Sequence, residues 1–209
     1  AFRGTGVDIS TQIRKGETHL RKTDGLLAQL IDLHGPCSLM RSPRPHFHTL
    51  VWAIINQQLS VKAARTIEER LLAYLDTDIV SARHLKGKRQ SSLRRCGLSG
   101  AKIRYICELG RRVRSGALDL ESLESLDDDQ ASAVLMDLPG VGRWTADMLL
   151  MFSLGRLDVL PIGDLALRKS ISSLYQLPDD SSAEDILVVT ESWRPYRSIA
   201  SWYCWAAVD

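Results

Sequence analysis

Apolar residues recur along this chain at helical spacing almost without a break. Leu26, Leu27, Leu30, Ile31 and Leu33 form a stripe that stops at Gly35-Pro36. Phe47, Leu50, Val51, Ile54, Ile55 and Leu59 form a second, and Ala63, Ala64, Ile67, Leu71 and Tyr74 a third. Later stripes run through Ile103, Ile106, Leu109 and Val113, through Ala146, Leu149, Leu150 and Phe152, and through Leu165, Leu167, Ile171 and Leu174, with a last one from Ile199 to Ala207. Strand-like alternation over five or more residues is essentially missing, and Pro161 breaks the short Val159-Leu160 run. The pattern predicts an all-α fold of ten to twelve helices. The 209 residues, 44% of them hydrophobic, suffice to bury a core as one domain or two small lobes. Pro43-Arg44-Pro45 and the Pro161 region are the expected crossings between lobes.

Charge is segregated although the net value is only +2. Arg83 to Arg114 holds eleven Lys or Arg and one acid, Glu108, whereas Ser115 to Gly142 holds seven acids and no Lys or Arg. A basic block beside an acidic one suits a polyanion on one face, although a solvated helix face would look the same. Cys37, Cys96, Cys107 and Cys204 contain no Cys-x-x-Cys, which excludes a zinc ribbon and reads as buried thiols in a reducing compartment. His19, His34, His46, His48 and His84 show no ligand spacing and are read as structural. The longest run without an acidic, basic or histidine side chain is Thr49–Val61, and a spanning helix needs about 20 residues. No signal peptide is visible, so a soluble intracellular protein without membrane contact is expected.

Leu138-Pro139-Gly140-Val141-Gly142 lies between two helical stripes. Glycines two apart permit a positive φ and close approach of another backbone, and the following helix start points free amides outward. A phosphate suits such a turn, as does simple helix–helix reversal. With the following Arg-Trp-Thr-Ala-Asp, this segment resembles the helix-hairpin-helix of the HhH-GPD superfamily of DNA glycosylases. Leu157-Asp-Val-Leu-Pro-Ile-Gly-Asp164 resembles the loop that ends in the superfamily's catalytic aspartate. Trp193-Arg-Pro-Tyr-Arg-Ser, Gln57-Gln58-Leu59-Ser60, Gly97-Leu98-Ser99-Gly100-Ala101-Lys102 and His34-Gly35-Pro36 are similar to further blocks of its 3-methyladenine DNA glycosylase II branch. The resemblance implies two helical lobes flanking an active-site cleft. One lobe would span about 45–155, with the helix-hairpin-helix at 130–154. The other would join 1–44 to 156–209.

The resemblance makes Asp164 the catalytic carboxylate. On residue type alone it reads as an N-cap, and the two roles are compatible, because helix amides favour an anion. Breaking an N-glycosidic bond develops positive charge on the sugar, and a fixed anion there stabilises the transition state most. The acid that often precedes this aspartate is replaced by Gly163. Trp144 and Trp193, with Met148, are expected to line the base pocket, while Trp52, Trp202 and Trp205 read as core. Stacking returns about 1–3 kcal/mol per base, and a cationic base adds roughly 0.5–2 kcal/mol. That sum is comparable with the few kcal/mol that flipping costs a damaged base. Trp144 also stands where bifunctional members carry a Schiff-base lysine, which implies a monofunctional enzyme.

By the same resemblance Leu59 is the minor-groove wedge and Gln58 reads the orphaned base. Gly140, Gly142, Thr145 and Lys102 are the expected phosphate contacts. A monovalent cation, Na+ or K+, is implied on the carbonyls of Met136, Leu138 and Val141, with no cofactor required. The implied activity is removal of alkylated bases, 3-methyladenine first and 7-methylguanine next, from duplex DNA by a monomer in the bacterial cytoplasm or nucleoid, or in the nucleus. Two alternatives stay open. One is a non-catalytic helix-hairpin-helix DNA-binding module. The other is a glycosylase for uracil, hypoxanthine or ethenoadenine.

Overall fold

A computed structural model describes residues 9–39, 42–178 and 180–208. Among the described residues the chain forms eleven α-helices, three short 3-10 turns and no strand. The all-α expectation therefore holds. Two compact units result: residues 42–154, and residues 1–41 together with 155–209.

The 42–154 unit is built around α3 (His46–Asn56), which packs against α4 (Val61–Leu75), α6 (Gly100–Arg114) and α8 (Arg143–Phe152). Seven of the eleven α3 residues are buried, as expected for a helix apolar nearly all round. Leu50, Ile54 and Ile55 of α3, Leu71 of α4, Ile103 and Ile106 of α6, and Ala146 and Leu149 of α8 form its core. The short α5 (Gln90–Arg95) leads into α6, and α7 (Asp128–Met136) pairs with α8. Side-chain caps set several of the starts: Ser60 for α4, Ser99 for α6, and Asp127 with Gln130 as a capping box for α7.

The second unit joins both ends of the chain. α1 (Ile9–Thr23) and α2 (Gly25–His34) pack with α11 (Arg197–Ala206), which also meets α9 (Leu165–Leu174). α10 (Ala183–Thr190) lies against α9. α1 and α11 approach closely at Gly16, where a Cβ would sit 2.4 Å from Ile199 Cδ1. Leu20, Leu27, Leu167, Ile171, Ile199 and Tyr203 are the centre of this core. The loop from Gly155 to Asp164 is tied to the start of α11. Arg197 Nε and Nη2 donate to the Asp158 carboxylate at 2.9 and 3.0 Å, and Val159 N–H donates to Ser198 Oγ at 2.9 Å.

Candidate active site

In the unit formed by both ends of the chain, Asp164 caps α9. Its Oδ1 accepts the Leu167 amide at 2.8 Å and the Trp205 indole N–H at 3.2 Å. Its own amide donates to the Pro161 carbonyl at 2.8 Å. α9 and α11 are joined one residue earlier on α11, where Ser170 Oγ donates to the Cys204 carbonyl at 2.5 Å. A half-buried carboxylate is thus held in one orientation by a helix start, a turn and an indole.

The tryptophans differ from the expectation. Trp193, expected in the base pocket, is fully buried. Its Nε1–H is shared between Asp24 Oδ2 and the Tyr175 hydroxyl, both at 3.1 Å, and the Tyr175 ring leans on it at 6.2 Å between centroids. Tyr175 also donates to Asp24, whose other oxygen caps α2. Trp193 is therefore a core side chain whose faces are covered, with no room for a base. Trp205, expected in the core, is half-buried and touches Asp164 instead. Trp52 and Trp202 are also only half-buried.

In the 42–154 unit the hairpin between α7 and α8 is closed by Val141 N–H donating to the Leu138 carbonyl at 3.0 Å. Leu138 and Val141 bury their side chains and anchor the turn. Gly140 has φ +81°, and a Cβ there would lie 2.1 Å from the Tyr105 ring. Both facts require glycine. Gly142 has an extended φ of −92° and a Cβ there would meet nothing within 4 Å, so packing does not require it. It leaves the first turn of α8 without a side-chain cap. The amides at that helix start suit an anion. Trp144 and Met148 follow at i and i+4 on α8, half-buried on one side of the helix. Arg143 Nε, one residue after Gly142, donates at 2.8 Å to Asp147, which is fully buried. Burial raises the Asp147 carboxyl above the ordinary range, against the pull of Arg143.

The turn between α3 and α4 is joined to this hairpin. Gln57 Nε2 donates to the Gly140 carbonyl at 2.7 Å and to Thr145 Oγ1 at 3.1 Å. Lys102 Nζ donates to the Ile55 and Gln57 carbonyls, both at 2.8 Å. These bonds present Gln58, at φ +56°, and Leu59, 38% exposed. Two expected phosphate contacts are thereby corrected. The Lys102 ammonium turns inward to cap the end of α3, and burial lowers its pKa. The Thr145 side chain is buried under Gln57. Gln57 itself lay inside a motif the sequence showed, but its bridging role did not.

The basic block is divided between internal pairing and exposed surface. Arg111 and Arg112 pair with Glu108, and Arg112 also with Asp137. Arg114 donates to the Ala82 carbonyl. Arg89, Arg94 and Arg104 are exposed.

Residues 51–195 match the family model described as HhH-GPD superfamily base excision DNA repair protein. The chain is 32% identical over 203 residues to the DNA-3-methyladenine glycosylase 1 of Schizosaccharomyces pombe, covering 95% of this chain and 89% of that protein. Its fold is similar to the crystal structure of a Bacillus halodurans DNA-3-methyladenine glycosidase, with a TM-score of 0.82, 35% identity and coverage of 95% and 90%. It is also similar to the S. pombe 3-methyladenine DNA glycosylase in complex with abasic DNA, with a TM-score of 0.81, 31% identity and coverage of 91% and 95%.

Proposed function

The chain belongs to the HhH-GPD superfamily of base excision DNA repair proteins, and from that premise we propose that it is a DNA glycosylase that removes alkylated bases, 3-methyladenine first, from duplex DNA. The observation that carries the reading is Asp164, a carboxylate pinned by Leu167 N–H and Trp205 Nε1–H at the end of a loop that Arg197 and Ser198 hold. Such a fixed anion stabilises the positive charge that grows on the sugar as the N-glycosidic bond breaks, and it aligns the attacking water. A 3-methyladenine or 7-methylguanine base is already cationic and leaves without a general acid. The products are free base and an abasic site. Water is the only co-reactant the scheme needs.

The remaining residues are assigned by what they offer. Trp144 and Met148 supply a half-buried apolar wall for a flipped base. Leu59 enters the vacated stack, with Gln58 beside the orphaned base. The uncapped start of α8 at Gly142 takes a backbone phosphate. A monovalent cation would be held by the carbonyls of Met136, Leu138 and Val141. The Leu138 oxygen already accepts the Val141 amide, and its second lone pair suits a cation. Its only contribution would be positive charge near that phosphate, so replacing K+ and Na+ by choline should weaken DNA binding but not the rate of the bound complex. If binding is unchanged in choline, the cation assignment falls.

Trp144 offers no amine, so the enzyme is read as monofunctional. Borohydride should trap no covalent adduct with DNA, and a trapped adduct would overturn this. The main test is release of free 3-methyladenine from methylated duplex DNA by the wild type and by Asp164→Asn. Asparagine caps helices about as well as aspartate, so the variant should fold and bind DNA but release almost no base. A fully active variant would leave Asp164 a cap only. A wild type that binds and releases nothing would favour the binding-module reading or another damaged base.

A further inference from the structure

We propose that His46, Glu121 and Glu124 form a binding site for a divalent transition-metal ion of the zinc class. His46 lies far in sequence from the two glutamates, which is why spacing alone suggests no ligand set. The fold brings the first residue of α3 against the 3-10 turn Glu121–Ser125. His46 Nε2 faces Glu124 Oε1 at 3.3 Å and Glu121 Oε2 at 3.7 Å. One ligand atom from each of the three residues lies within 4.8 Å of the others. All belong to the 42–154 unit.

Without an ion, His46 Nε2 and Glu124 Oε1 lie at the long end of hydrogen-bond range, and the same spacing suits two ligands of one ion. Charge-assisted N–H···O bonds are usually about 2.7–2.9 Å. With zinc bonds of about 2.0–2.1 Å, tetrahedral geometry separates neighbouring ligand atoms by about 3.3–3.4 Å. The His46–Glu124 distance is already close to that spacing. Glu121, whose side chain is 67% exposed, is free to move toward the other two ligands.

The imidazole is preset. His46 is 4% exposed, and its Nδ1 lies 2.7 Å from Ser153 Oγ at the end of α8. With the ring proton on Nδ1 and donated to Ser153, the Nε2 lone pair would face the two carboxylates. An orienting partner on the other ring nitrogen is what metal-binding histidines generally have. His48 differs at Nδ1, which accepts the Val80 amide at 3.0 Å and so leaves the ring proton to Nε2, facing Glu68. Electrostatics also favour a cation at His46. Two carboxylates outweigh the roughly half positive charge at the start of α3. Three protein ligands leave a fourth position for water. One nitrogen and two oxygens suit zinc better than magnesium, which keeps oxygen ligands and several waters. The ion would fasten the turn 121–125, and so the entry to α7, to the start of α3. It has no part in the excision chemistry.

The test uses the full chain stripped with EDTA. Zn2+ is titrated by calorimetry, Co2+ by visible absorption, and each is checked by thermal melting. One ion per chain is expected, with tetrahedral Co2+ bands and a raised melting temperature. Glu121→Gln/Glu124→Gln, both on the surface and able to fold, should weaken Zn2+ binding by more than the roughly 10–100-fold that loss of an outer partner costs. Ser153→Ala should fall within that smaller range. Three results would overturn the site: no saturable Zn2+ binding, binding unchanged in the double glutamine variant, or an equal melting rise with Mg2+. The first would leave His46 simply hydrogen-bonded to Glu124.

Discussion

The indole of Trp205 and the carboxylate of Asp164 are joined through one oxygen: Nε1–H reaches Oδ1 at 3.2 Å, on the same atom that accepts the Leu167 amide. Two donors from different helices converge on one carboxylate oxygen, so its orientation is fixed by α9 and α11 together. If Asp164 is the anion that meets the sugar, Trp205 is a positioning residue for it.

Trp205→Phe keeps a ring and removes the donor. A hydrogen bond to a charged group contributes about 1.5–3 kcal/mol, so single-turnover base release should fall roughly 10–100-fold. DNA affinity should stay near wild type, and the loss of stability should not exceed that of one such hydrogen bond. An unchanged single-turnover rate would remove Trp205 from the arrangement.

Trp193 should behave as a core residue. Trp193→Ala should cost about 3–5 kcal/mol in chemical denaturation. Trp193→Phe, which fills most of the space but leaves Asp24 and Tyr175 without the indole donor, should cost about 1–3 kcal/mol. Base release by Trp193→Phe, normalised to folded protein, should match the wild type. A lost rate at normal stability would return Trp193 to the base pocket.

Lys102→Met should destabilise by about 1–3 kcal/mol, because the carbonyls of Ile55 and Gln57 lose their donor. The salt dependence of DNA binding should not change, since the ammonium is committed inward. A slope reduced by about one would mark a phosphate contact instead.

Arg111 and Arg112 hold the Glu108 carboxyl at about 2, below its ordinary 4.5. A carboxyl with a depressed folded-state pKa adds stability above its unfolded value and loses it as pH falls through the folded one. Comparison of Glu108→Gln with wild type should therefore show a constant deficit above about pH 5 that closes between 4.5 and 2. The pair is exposed, so salt should shrink the deficit. A deficit that persists at pH 2 would rule out this pairing as its origin.

Leu59→Ala removes an exposed side chain and should leave stability nearly unchanged. Base release from a well-paired duplex should fall more than release from a site opposite a mismatch, where flipping costs less. Equal losses on both substrates would count against the wedge.

Helices with broad apolar stripes, α3 and α8 above all, were legible because burial and periodicity coincide. α1 carries little apolar periodicity, since only Ile13, Gly16 and Leu20 are buried among its 15 residues. Asp164 was legible twice, as a cap and as a carboxylate at the end of a recognisable loop. The tryptophans were not, because an indole suits a core and a cleft equally, and only the packing of α11 decides between Trp193 and Trp205. Lys102 and Thr145 look like surface donors in one dimension. Their commitment to α3 and to Gln57 depends on contacts between residues 45 to 88 positions apart. His46 and its two glutamates were hidden for the same reason.

The Gln57 amide bears on how such a protein would search a genome. By bonding the Gly140 carbonyl and Thr145, it ties the turn that carries Leu59 to the hairpin that carries Gly142, so that the two would act as one stiff probe. A stiff probe has no spring of its own. It cannot hold the backbone while its tip swings in and out, so the compliance needed to test each step must come from the double helix. If Leu59 is the wedge, time spent at a site would depend on how readily the local stack gives way, and damage would be sensed as mechanical softness before any base is read.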